Sequence, residues 1–339
     1  MLPRLIPLAI LAGLVSAECF VQQRGERPFS NRLATRRGAA SESAEAVDAA
    51  LQRLLVLCTA LQQPPDPAAE SEPQQPALIA RAAAASRAAR SGVHGDGLFA
   101  RAELAAGEVA AMYPVHAVGI VGLLREGEAH TVCWPADAEH FGSTDASGYR
   151  QYVPLGPRSR ARAPRLAPWR DALFVDANPH RRAREPPGSS WLGHLVNDGA
   201  TMPSATVAGG DDAAVESYAA ASARARNVVA VALDGAAPLV ALVTTRAVPE
   251  GAELFATYEH RYWLRRAGLT PPSPTPVVRE LDLASAAREA DAAAAVEAAY
   301  PEELEELRAI FEGAGDSDEE TAASKRRARA SVRRRSRQR

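Results

Sequence analysis

The stretch WLGHLVNDGA (191–200) is mostly apolar up to Val196 and then turns polar at Asn197, Asp198 and Gly199. An asparagine side chain carries one acceptor oxygen and two amide hydrogens, so it can bend the chain and hold a polar ligand at once. Both readings of Asn197 stand. His194 has the same duality: it lines that pocket, or it is a partly buried imidazole with a satisfied hydrogen bond. Far upstream, His94-Gly95-Asp96-Gly97 places two glycines where a ligand could approach bare backbone, or where a hairpin simply turns. The segment after it reads as a strand, which rules out the nucleotide-fold meaning of a Gly-x-Gly turn, since that requires a helix. A third polar group, Tyr258, ends the run EGAELFATY, with Tyr262 and Trp263 close behind. The three cysteines (Cys19, Cys58, Cys133) are scattered with no C-x-x-C pair, and the seven histidines lack ligand spacing. Neither a disulfide framework nor a metal site is expected.

The elements that must position these groups are strands. Apolar and β-branched runs predict strands at 98–101, 108–118, 172–176, 227–233 and 238–245, with turns at DGAAP and VPEG. Around them lie helices. Val47, Leu51, Leu54, Leu55, Cys58 and Leu61 recur at three- and four-residue steps and predict a helix over 43–62. Ala-rich helices are expected at 77–90 and at 211–226, the latter with Val215, Tyr218 and Ser222 on one face. An acidic helical stretch is expected over 281–312.

The 339 residues suffice for one large domain with appendages or two modest ones. Hydrophobic residues reach 47% largely through alanine, while aromatics are 5%, so the core should be concentrated in part of the chain. The net charge of −2 divides unevenly. Residues 325–339 hold nine basic residues and no acid, which leaves −11 on residues 1–324. Residues 1–19 have signal-peptide grammar: Arg4, an apolar run from Leu5 to Val15, then Ser16 and Ala17. The run is short for a membrane span. Residues 20–42 are Arg-rich and acid-poor, in the manner of a transit peptide. Such a bipartite leader points to the secretory route or a plastid, whereas the basic tail points to a nucleus or to nucleic acid. A Pro-rich linker (62–76) divides the helices of 43–90, and 313–339 is expected to be disordered, acidic and then basic.

Three stretches in order resemble the SET domain, the protein-lysine methyltransferase module. GVHGDGLFARAELAAGEVAAMY (92–113) resembles the family's opening hairpin. FVDANPHRRAREPPGSSWLGHLVNDGA (174–200) resembles its "iDA" strand and its Asn-His-Ser-Cys bend. NVVAVALDGAAPLVALVTTRAVPEGAELFATYEHRYW (227–263) resembles its paired strands, Gly-Glu-Glu-Leu turn and following tyrosine. The likeness spans about half the chain and implies a SET domain over 91–264 and a helical C-terminal extension over 265–312. The implied fold is mainly β: a SET-type β-clip of short strands with a pseudoknot, flanked by helices. The implied activity is methyl transfer from S-adenosylmethionine to a lysine amine of a protein substrate; separately, a monomer without a membrane span in the mature chain is expected. The resemblance makes Tyr258 catalytic and puts His94, Gly95, Asp96, Gly97, His194, Asn197, Asp198 and Trp263 against the cofactor, with no metal. The chain departs from the pattern where Asp198 replaces the family's histidine and where Ala256 replaces a frequent aromatic. Those departures motivate an alternative, a catalytically inactive SET-fold protein-binding module. A third reading, a similar β fold with an unrelated task, predicts that Asn197 and Tyr258 lie far apart.

Overall fold

The computed structural model describes residues 40–62, 75–120, 123–126, 130–133, 150–153, 173–177, 191–202, 212–233, 239–266 and 274–310. The leader, the centre of the Pro-rich linker, the DGAAP turn and the basic tail lie outside the described residues. Helix α1 (Ala40–Gln62) and helix α2 (Ala77–Ala85) precede the sheets. The N-terminal strands are β1 (Ser86–Arg90), β2 (Asp96–Ala100), β3 (Val109–Met112), β4 (Ala117–Ile120), β5 (Leu123–Glu126), β6 (His130–Cys133), β7 (Arg150–Tyr152) and β8 (Leu173–Asp176). A 3-10 turn, Gly193–Leu195, leads into the two-residue strand β9 (Asn197–Asp198). Then come helix α3 (Asp212–Ala225), strands β10 (Val228–Leu233), β11 (Leu239–Thr244) and β12 (Glu253–Ala256), and helices α4 (Glu259–Arg266) and α5 (Pro276–Ala299). A last helix, α6, covers 301–310.

Apolar burial organises the centre. In β11 every residue of LVALVT is buried, because β10 and β3 flank it antiparallel and helices cover the sheet. Leu51, Leu55, Leu78, Ile79, Val240, Val243, Val296 and Leu307 share one cluster, so α1, α2, α5 and α6 all contribute to it. Helix α5 starts where Thr275 accepts a hydrogen bond from the Val278 amide and Pro276 takes the first turn. It ends before Pro301, which lacks the N–H needed to continue a helix and instead opens α6.

The strands form three small sheets. One is β10-β11-β3, one is β6-β5-β4-β8-β7, and the third, β1-β2-β12-β9, carries the candidate site. In the third, β12 runs antiparallel to β2 and parallel to β9, so a late strand lies between two earlier ones. Leu98, Leu242, Leu254 and Val248 fill the apolar layer beneath it.

The architecture corrects several expectations. Among the described residues helix outweighs strand, so the fold mixes helices with small, mostly antiparallel sheets, and the mainly β expectation holds only in part. The helix expected over 77–90 stops at Ala85. Ser86 is extended, its hydroxyl donates to the Ala110 carbonyl at 2.7 Å, and residues 86–90 pair with β2. Alanine's helix propensity is worth tenths of a kcal/mol per residue, which a full ladder of partners overrides. The strand expected at 108–118 is broken at Tyr113 and Pro114 into β3 and β4, since proline cannot donate to a ladder. Among the described residues no helix is long and apolar enough to cross a membrane.

Candidate functional site

The β1–β2 hairpin fixes the first wall. Gly95 takes φ +44°, and its carbonyl accepts from Ser91 N at 3.0 Å. The Ser91 hydroxyl accepts from Val93 N and His94 N, which holds the turn rigid. Its carbonyls therefore face inward. The Asn197 amide nitrogen donates to His94 O at 2.9 Å, to Asp96 O at 3.2 Å and to Glu253 Oε1 at 3.0 Å. An amide nitrogen has two hydrogens, so three acceptors crowd a group able to serve two of them well. Asn197 is buried, and its register opposite Phe255 of β12 places it there.

Gly97 is tight for a reason the sequence did not disclose. A Cβ at Gly97 would stand 2.2 Å from Glu253 Oε1, so the bare backbone accommodates that carboxylate. Glu253 also borders a cavity of about 440 Å³ whose wall includes Asn227, Arg246, Pro249 and Phe255. Neither Asn197 nor Tyr258 lines that cavity.

Tyr258 closes the other side. Its phenol donates to the Val196 carbonyl at 2.8 Å, one residue before Asn197. Its ring lies 6.0 Å from that of Trp263 in a stacked pose and 4.9 Å edge-on from Tyr262. Trp263 meets His94 at 5.4 Å, which ties the aromatic shelf back to the hairpin. Among the described residues the buried His94 Nε2 has no hydrogen-bond partner. Hence His94, Gly95, Asp96, Gly97, Asn197, Tyr258 and Trp263 are gathered in one place. His194 is different: its described ring contact is with buried His116, at 6.1 Å.

Asp198, which the resemblance puts against the cofactor, has a fully buried side chain, and its carboxylate accepts from Ala200 N (3.0 Å), Ser222 Oγ (2.8 Å), Tyr258 N (3.1 Å), Trp263 Nε1 (3.2 Å) and the Tyr218 hydroxyl. Burial, and secondarily the Asp198 charge, push the Tyr218 phenol well above its ordinary pKa, so it stays protonated as a donor. The side chain belongs to the scaffold, because five donors leave a carboxylate's roughly four lone-pair positions filled.

Glu253, Tyr218 and Ser222 were missed as site residues. The last two sit four apart on the buried face of α3, and two hydroxyls on an otherwise apolar face signal a buried polar partner. Nothing local marks Glu253. Among the described residues no three His, Cys, Asp or Glu side chains are grouped as metal ligands would be. No protein-family model matches the chain, and no curated protein matches it.

Proposed function

We propose that this chain is an S-adenosylmethionine-dependent protein-lysine methyltransferase on a SET-type β-clip, with the segment after β12 forming that fold's pseudoknot beneath the Asn197 bend. The observation that carries the reading is the acceptor-rich corner at Asn197, built from the His94 and Asp96 carbonyls and Glu253, with the Tyr258 phenol one residue away on Val196. The Asn197 amide can serve only two of its three acceptors well, so acceptor capacity is left over for the ammonium at the methionine end of that cofactor. S-adenosylmethionine supplies the electrophile, a methyl group on a sulfonium sulfur, which the lysine amine's lone pair takes as the carbon–sulfur bond breaks.

The chain's own residues must deliver that amine uncharged, although free lysine has a pKa of about 10.4. The partly buried Tyr258, Tyr262 and Trp263 rings pack on one another around the phenol, and an apolar wall of this kind would disfavour the ammonium form. With its hydrogen committed to Val196, the Tyr258 oxygen presents acceptor character to the amine and orients it. The small Ala256, in place of an aromatic, would leave room for a wide lysine passage.

The test is transfer of labelled methyl groups from S-adenosylmethionine to lysine peptide arrays by the full chain. Wild type incorporates label, and Tyr258→Phe loses about 100-fold of the rate, the order of loss that follows deletion of one preorganised hydrogen-bonding group in an active site. Absence of both incorporation and cofactor binding overturns the proposal.

One observation favours a second reading. Glu253 already occupies the space over Gly97 and engages the Asn197 amide. A SET-fold module that binds protein without methylating it would keep such a filled corner. It predicts peptide binding with no detectable affinity for S-adenosylmethionine.

A further inference from the structure

We infer that Asp198 is a positioning residue: its buried carboxylate sets Tyr258 and Trp263 in place, with Tyr218 and Ser222 of α3 as its counterparts. The catalytic consequence of this inference rests on the methyltransferase reading above; the structural one does not. Asp198 collects donors from its own bend (Ala200 N), from α3 (Tyr218 and Ser222), from the link between β12 and α4 (Tyr258 N) and from α4 (Trp263 Nε1). The Tyr258 residue is thereby fixed at both ends, its backbone by Asp198 and its hydroxyl by Val196. The face of its ring is set by Trp263, whose indole N–H is shared between Asp198 Oδ2 and the Tyr218 oxygen at 3.0 Å.

This arrangement explains the aspartate. A neutral imidazole offers one acceptor nitrogen, and it could not serve five donors. A carboxylate can, and charge-assisted bonds of this kind are about twice as strong as neutral ones. The remaining partners fit the same logic. Ser222 also meets the Thr257 hydroxyl at 3.0 Å, and the Tyr218 phenol is held protonated by burial. Gly199 completes the set, since a Cβ there would lie 2.4 Å from the Ala225 side chain and would push α3 away from Asp198. Helix α3 thus takes part in the site without facing a ligand.

Asp198→Asn keeps the shape and puts an N–H where donors converge. The decisive readout is the Trp263 indole N–H in ¹⁵N spectra of the full chain, assigned through Trp263→Phe. In Asp198→Asn that resonance should shift and its hydrogen exchange should quicken by about tenfold or more, while unfolding stays cooperative. The kcat for methyl transfer should fall about tenfold or more, because the Tyr258 hydroxyl and the Trp263 ring lose their fixed positions. Tyr218→Phe, which removes one donor and keeps the ring, should shift the same resonance and lower kcat about two- to fivefold. It decides the matter if Asp198→Asn does not fold. An unchanged indole exchange rate in both variants overturns the inference. A wild-type chain that transfers no methyl group overturns the functional reading instead, and the indole exchange still decides the role of Asp198.

Discussion

The β10-β11-β3 sheet and the β1-β2-β12-β9 sheet share an apolar layer, yet they are held by different forces. The first is apolar: β11 buries all six residues, and its neighbours on both faces are largely valine, leucine and alanine. The second has an apolar underside, but its upper edge is fixed by directional bonds from Asn197, Asp198 and Glu253. Apolar burial is non-directional, whereas a hydrogen bond weakens steeply as its donor angle falls below about 120°. Stability is therefore concentrated in one sheet and atomic placement in the other. Asn227 joins them. It enters β10, its backbone N donates to Phe255 O, its side-chain oxygen accepts from Phe255 N at 2.8 Å, and its amide donates to Glu253 O at 3.0 Å.

Leu242→Ala in the middle of β11 tests the first half of this contrast. Leu242 is almost wholly buried between the two sheets. Its truncation should cost about 3–5 kcal/mol in denaturant melts and leave methyl transfer per folded molecule within about twofold. A matching collapse of specific activity would erase the division of labour. Asn227→Ala cuts the joint itself. It strands Phe255 N and Glu253 O, so it should cost about 2 kcal/mol and also lower specific activity, because β12 carries Glu253 and leads to Tyr258.

How far these two sheets could be read from sequence differs in the same way. Runs such as VVAVAL and LVALVT announce themselves, because β-branched residues buried on both faces leave a continuous apolar signature. The Gly95–Gly97 turn, the Asn197 bend and Tyr258 were also visible, as turn chemistry and as a tyrosine after a Gly-Ala-Glu-Leu run. β1 was not. SRAAR has no strand pattern of its own, and only its pairing with β2 makes it extended. The two-residue β9 is too short to leave a period. The reach of Glu253 to Asn197, across 56 positions, is a tertiary contact that no local spacing encodes. Asp198 read as a departure from a ligand-binding pattern, because the five donors that require a carboxylate come from segments up to 65 residues away.

The last expected effect concerns the apolar region alone. Burial raises the Cys58 thiol from its ordinary value of 9.0 to about 12. Above pH 9 the unfolded chain releases this proton while the folded chain keeps it, so stability falls as pH rises, by up to about 1.4 kcal/mol per unit. The contribution is fully present below pH 9 and is exhausted near pH 12. Cys58→Ala should remove this slope, which stability curves measured from pH 8 to 10.5 for the two proteins would show. A slope that survives the substitution would assign it to other groups.

The measurement closest to the central proposal is a calorimetric titration of S-adenosylmethionine into the full chain and into Asn197→Ala. The account predicts saturable one-to-one binding to the wild type and at least about tenfold weaker binding to the variant, because the corner loses the amide that arranges its acceptors. Equal affinities, or no heat of binding to either protein, would contradict it.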